Sequence, residues 1–241
     1  AHIVAYDAEN RTIVVAIRGT ASVSDAMVDL LCKAEPLQLR GQAGFAHGGM
    51  LRAARTIMGG VEVAINQALN EFDVEEIVVT GHSLGAGVAA LLTALWKSEG
   101  RFETPMRCMA FACPQVLSPV LVGAEAQWTT SVVVGDDVVP RLSLASALDL
   151  REAIILLATD PALASLSDSK ELHDQIRARA MAQLDPSVER LGPAGRIVWI
   201  PGESAAPVEV SHDFLCDMLV TGDMVAAHMP HRYLKPLVAL G

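Results

Sequence analysis

Residues 77–92 read IVVTGHSLGAGVAALL. The first four are apolar or β-branched, as in a strand buried on both faces. The last seven are apolar and rich in Ala and Leu, as in a helix. Between them lies Gly81-His82-Ser83-Leu84-Gly85, a G-x-S-x-G pentapeptide. That pattern arises by chance in roughly one chain of this length in ten, so it carries little weight alone. Its flanks give it weight, because a strand running straight into the turn and a helix running straight out is the setting of a nucleophile elbow. There a serine sits in strained backbone with its hydroxyl above the sheet, and a Cβ two residues to either side would collide with neighbouring backbone. The helix start also favours a developing anion, and the Leu84 N–H becomes a candidate oxyanion donor. The plainer alternative is an ordinary Gly/Ser helix cap.

Outward from this stretch the chain alternates short apolar runs with longer helical patterns. Residues 13–17, 77–80, 106–111, 131–134 and 197–200 read as buried strands, and 208–210 is strand-like. Residues 51–72 and 84–99 have helical length and spacing. Such alternation predicts one α/β domain over 1–241 with a mainly parallel central sheet flanked by helices. Residues 148–188, rich in Ala and Leu with interspersed charge, stand where a tight connection needs only a few residues. They are expected to form a helical insertion or cap, the alternative being a plain crossover helix.

Composition narrows the function classes. The 241 residues are 51% hydrophobic and 19% charged, which excludes a disordered chain. With 18 Lys and Arg against 28 Asp and Glu, the formal charge is −10 and no basic stripe exists, so nucleic acid is not a partner. Four cysteines without CxxC spacing read as reduced and mostly buried. Residues 77–96 have membrane length by count, but their centre is Gly-His-Ser-Leu-Gly, so no transmembrane span is expected. The chain opens at Ala1 without a signal-type segment, as a mature form or an excised domain would. Compartment and oligomeric state leave no signal. A dehydrogenase-type nucleotide domain is disfavoured, since no G-x-G-x-x-G follows the first strand.

Taken in order, several segments resemble the class 3 lipase family of the α/β-hydrolase superfold. These are IVVAIRGT at 13–20 with Asp25, Asp29 and Leu30, AHGGM at 46–50, the elbow at 77–92, FACPQV at 111–116, GDDVVPRL at 135–142 and HMPHRYL at 228–234. Arg18-Gly19-Thr20, Ser22 with Asp25, GHSLGAG and DVVPRL look closest to the diacylglycerol-lipase branch, where a regulatory loop stands between acid and histidine. The resemblance implies Ser83 as nucleophile and Thr20 as an oxyanion-hole residue beside Leu84. Arg18, Asp25 and Asp29 read as structural.

A serine hydroxyl needs an imidazole, itself oriented by a carboxylate. In α/β-hydrolases the chain order is Ser, acid, His. After Ser83, the carboxylates directly following a buried strand are Asp136 and Asp137. Asp137, immediately before Val138-Val139-Pro140, occupies the family's acid position. Among the later histidines, His173 sits in a charged stretch and His212 reads as structural. His228 and His231 share the C-terminal segment, and only one of them serves as base. The family pattern maps to His228 with Tyr233 downstream, although Ala227 stands where Asp is common and the spacing to Tyr233 is longer. An H-x-x-H metal pair has no third ligand in sequence. His47 reads as structural and His82 as a packing residue behind the elbow.

The expected activity is hydrolysis of acylglycerol esters through an acyl-enzyme on Ser83, with no metal and no organic cofactor. A lipid ester is the expected partner, with peripheral contact to a lipid surface. The apolar stretch 21–32 is a candidate lid. Alternatives are a general esterase, thioesterase or phospholipase A1, and a silent lipid-binding pseudoenzyme.

Overall fold

The computed structural model describes residues 1–19, 31–125, 127–164, 166, 169–183, 185–203 and 205–240. Strands β1 (His2–Asp7), β2 (Thr12–Ile17), β5 (Glu76–His82), β6 (Met106–Phe111), β7 (Thr129–Val134), β8 (Arg196–Ile200) and β9 (Val208–Val210) form a sheet of order β1-β2-β5-β6-β7-β8-β9. From β2 to β8 every pairing is parallel, and only the outer strands β1 and β9 run antiparallel to their neighbours. A separate hairpin pairs β3 (Ala34–Leu39) with β4 (Gln42–His47). This is the α/β-hydrolase architecture: a mostly parallel sheet with helices packed on it.

The helices are α1 (Gly48–Glu71), α2 (Leu84–Glu99), α3 (Pro119–Glu125), α4 (Leu144–Thr159), α5 (Pro161–Ala164), α6 (Ser169–Gln183) and α7 (Pro230–Leu240). Helix α1 starts earlier than apolar spacing indicated, because His47 caps it through Nδ1 accepting the Met50 N–H at 3.3 Å. Two consecutive glycines, poor helix formers, masked that start. Helix α2 is buried from Gly85 to Trp96, wedged between α1 and strands β5 and β6. Trp96 tolerates burial because its indole N–H donates to Glu62 Oε1 on α1 at 2.9 Å. Each large apolar side chain buried here contributes about 1.5–3 kcal/mol. The pairing rigidly supports the end of β5.

Helices α4, α5 and α6 occupy the connection between β7 and β8, and α4 packs on α6. Helix α4 opens with a capping box between Ser143 and Ser146, which sets its start before position 148. Among the described residues no helix is long and apolar enough to cross a membrane. Cys108 and Cys113 are buried, Cys32 and Cys216 half-buried, and all four are free thiols.

In the parallel register Gly81 pairs with Ala110, Phe111 with Val132 and Val134 with Ile200. The C-terminal ends of β5 to β8 therefore line one edge of the sheet. In open α/β folds this edge is where ligand sites form.

Candidate active site

Strand β5 delivers the chain to Ser83, whose backbone adopts φ 59° and ψ −131°, and α2 begins at the next residue. A non-glycine residue in such backbone costs about 1–3 kcal/mol and persists only where its surroundings impose it. Here the packing imposes it. A Cβ on Gly81 would lie 2.4 Å from Gly85 O, and one on Gly85 would lie 2.4 Å from Ile17 O. Gly19, two residues past β2, closes the same contact, since its Cβ would sit 2.5 Å from His82 O. The Ser83 N–H bonds Phe111 O at 2.9 Å, tying the elbow to β6.

Ser83 stands at the helix cap position yet makes no side-chain cap hydrogen bond. Its Oγ instead lies 2.9 Å from His228 Nε2. On the other side of the ring, His228 Nδ1 lies 3.1 Å from Asp137 Oδ1 and 3.0 Å from Oδ2. Ser83, Asp137 and His228 are 3%, 0% and 4% exposed, so the chain of hydrogen bonds is shielded from bulk water. Low local dielectric strengthens such a chain. Asp137 sits just past β7, and its Oδ1 accepts the Val139 N–H at 2.9 Å as the backbone turns into the 3₁₀ segment Val139–Arg141. The Val138 N–H bonds Met224 O, which joins this loop to the turn preceding His228.

Residues 14–147, more than half of the chain, match the family model described as Lipase (class 3). The chain belongs to the class 3 lipase family. It is 36% identical over 158 residues to diacylglycerol lipase-beta of Mus musculus, covering 64% of this chain and 23% of that protein. It is 34% identical over 163 residues to diacylglycerol lipase-alpha of Rattus norvegicus, covering 63% of this chain and 15% of the relative. The chain thus spans less than a quarter of either relative's length. Among solved structures, a mutant form of MDLA from Penicillium cyclopium superposes with TM-score 0.64 at 18% identity, covering 94% of this chain and 72% of that one. That likeness is one of fold.

Leu84 is the first residue of α2, where an amide lacks an intrahelical partner. Thr20, Asp25, Asp29 and residues 21–30 of the candidate lid lie outside the described residues. Asp136 is half-buried beside the acid. His231 is exposed on α7, away from the hydrogen-bonded chain that holds His228. His212 Nε2 lies 3.2 Å from Pro193 O, and His173 lies within 4 Å of Asp174 and Asp217. Among the described residues no group of His, Cys, Asp and Glu could hold a metal.

Two residues carry more of the site than their sequence positions indicated. Arg141, 6% exposed, donates through Nη1 to Phe214 O at 2.7 Å and Asp217 O at 3.2 Å. It ties the acid loop to the 3₁₀ segment His212–Leu215, and its guanidinium lies over the Phe214 ring at 5.0 Å. Tyr233, on α7, donates to Asp137 Oδ2. The signal for Arg141 was a charged residue in an otherwise apolar run, and for Tyr233 its place after the histidine.

His82 packs against the His228 ring at 4.7 Å between centroids and meets Tyr233 edge-on at 5.4 Å. Burial pushes its imidazole down to about 4, and the neighbouring His228 acts in the same direction. The unfolded chain protonates this residue near its ordinary value of 6.5, so between pH about 6.5 and about 4 the unfolded state binds more protons. The associated stability is fully present above 6.5 and is lost as pH falls through that window, at no more than roughly 1.4 kcal/mol per pH unit. Urea unfolding midpoints of the wild type should therefore drop more steeply with acid than those of His82→Gln. Parallel curves would mean that His82 titrates normally in the folded protein.

Proposed function

We propose that this chain is a serine carboxylester hydrolase acting on acylglycerols. The observation that carries the reading is the unbroken hydrogen-bonded chain from Ser83 Oγ through His228 to Asp137, mounted on strained backbone. Ser83 Oγ attacks the ester carbonyl while His228 Nε2 takes its proton. Asp137 holds the ring with Nδ1 protonated and stabilises the imidazolium that forms. The tetrahedral oxyanion is met by the Leu84 N–H and by Thr20, a contribution of several kcal/mol in sites of this kind. His228 then protonates the departing alcohol. Water, deprotonated by the same imidazole, hydrolyses the acyl-enzyme to the carboxylic acid and returns Ser83.

The acylglycerol substrate rests on the chain's similarity to diacylglycerol lipases. Exposed apolar side chains before and after His228 in sequence, including Val220, Val225, Met229, Leu234 and Val238, support peripheral contact with a lipid surface there. The net charge of −10 disfavours docking by attraction to anionic lipid.

Intact-mass labelling with a fluorophosphonate tests the chemistry. A single adduct that disappears in Ser83→Ala is the expected result. An unlabelled protein, even with lipid or detergent present, would overturn the reading in favour of a binding protein. Rates on a long-chain diacylglycerol and a soluble short-chain ester then test the substrate class. Preference for the soluble ester would replace the lipase assignment with a general esterase.

A further inference from the structure

Tyr233 is 3% exposed and sits five residues after His228. Its Oη donates to Asp137 Oδ2 at 2.5 Å and accepts the Val134 N–H, from the last residue of β7, at 3.4 Å. One phenol oxygen thus joins the acid, the strand that presents it and the helix that follows the base. The carboxylate has a donor on each oxygen besides His228: the Val139 N–H on Oδ1 and Tyr233 on Oδ2. The Tyr233 ring meets the edge of His82, which in turn packs on His228.

We propose that Tyr233 is a positioning residue for the hydrolase, holding Asp137 Oδ2 in place and setting how strongly the carboxylate supports a proton on His228. The inference rests on the serine-hydrolase reading above and deepens it. A hydrogen bond donated to a carboxylate spreads its charge and makes it a weaker base. The imidazolium formed during attack is then held less tightly and returns its proton to the leaving alcohol more readily. Burial, with the Asp137 charge adding to it, holds the phenol well above its ordinary range, so the hydroxyl stays a donor throughout the working pH range.

Other ionisable groups face the same pair. His82 from β5 is neutral above about 4, and Cys113, after β6, is pushed up to about 11 by burial. Asp136 and Arg141 stand on the loop after β7, and the Asp136, Asp217 and Asp137 charges all act on Arg141. Packing alone is the competing account, because Tyr233 also contributes to an apolar cluster with Ala112, Val132, Val134 and Ile200.

The test compares the pH profile of kcat/KM on a soluble short-chain nitrophenyl ester with the downfield proton resonance of His228 Nδ1–H. In Tyr233→Phe the ring remains, kcat should fall about 10- to 100-fold, and the acid limb should move to higher pH. The chain has only two tyrosines, Tyr6 and Tyr233. Tyr6 lies on β1, stacks on Phe72 and bonds Asp73 O. In a Tyr6→Phe background, incorporated 3-fluorotyrosine makes Tyr233 a stronger donor, and the acid limb should move to lower pH. Opposite displacements of the limb, with the Nδ1–H resonance moving in both proteins, are the expected result. A rate loss with limb and resonance unmoved would overturn the proposal and leave Tyr233 a packing residue. If Tyr233→Phe fails to fold, the fluorotyrosine protein decides by the same readouts. A wild-type protein that neither labels nor hydrolyses would instead remove the serine-hydrolase reading, and this inference with it.

Discussion

Replacing Ser83 with alanine should lower ester turnover by about 10⁴- to 10⁶-fold while leaving the protein folded. The two halves of that expectation have separate physical grounds. Alanine keeps the Cβ, so it adopts the elbow backbone at φ 59° with the same strain as serine. The Ser83 side chain makes no helix-cap hydrogen bond, so α2 loses no capping partner. Only the bond from Oγ to His228 Nε2 disappears. Leaving one buried acceptor without a partner costs about 1–3 kcal/mol, or a few degrees in melting temperature for a domain of this size. Kinetics on a soluble ester and a melting curve of the same preparation check both halves. Turnover within tenfold of wild type would remove Ser83 as nucleophile.

Asp137→Asn should cost about 10⁴-fold in kcat, by an electronic rather than a steric route. The amide is isosteric with the carboxylate, and its orientation is decided by its neighbours. The Val139 N–H requires an acceptor at Oδ1, so the amide oxygen stays there and the NH₂ replaces Oδ2. That NH₂ faces His228 Nδ1 and Tyr233 Oη, both of which donate to the native carboxylate. Nδ1 then becomes the acceptor and the ring proton moves to Nε2. An imidazole protonated at Nε2 cannot take the proton of Ser83. The variant should label with fluorophosphonate far more slowly, with its melting curve reporting a folded protein. Wild-type labelling and turnover in Asp137→Asn would assign the acid elsewhere, with Asp136 the first candidate.

Much of the fold was legible because the central strands are mostly apolar or β-branched. Residues 106–111 and 84–99 were read to the residue: the strand buries alternate side chains and the helix is buried from Gly85 to Trp96. β1 and the β3–β4 hairpin were missed, and both are the less apolar kind of strand. β1 is an outer strand whose residues are exposed or half-buried, and β3 carries Pro36 and two polar side chains. Helix α7 was hidden by Pro230 and Pro236, one starting it and the other inside it.

In the site, local sequence was sufficient for Ser83, because strand, turn and helix are all encoded within 16 residues. Residue type alone did not separate His228 from His231 or Asp137 from Asp136; the family resemblance pointed to Asp137 and His228, which lie 91 positions apart. The fold brings His228 onto Ser83 and Asp137 while His231 projects into solvent. His82 was legible as a packing residue behind the elbow, but the contacts of Arg141 and Tyr233 lay further out of reach, since each is made to a partner distant in sequence. Sequence by itself therefore determined the α/β plan and the elbow, because those depend on hydrophobic runs and on glycines needed at close backbone approach. Only the tertiary structure brings that acid and that histidine onto the serine, and the Tyr233 hydroxyl onto the acid. Hydrogen bonding depends on distances of about 3 Å, and between residues so far apart in the chain only the assembled sheet edge supplies them.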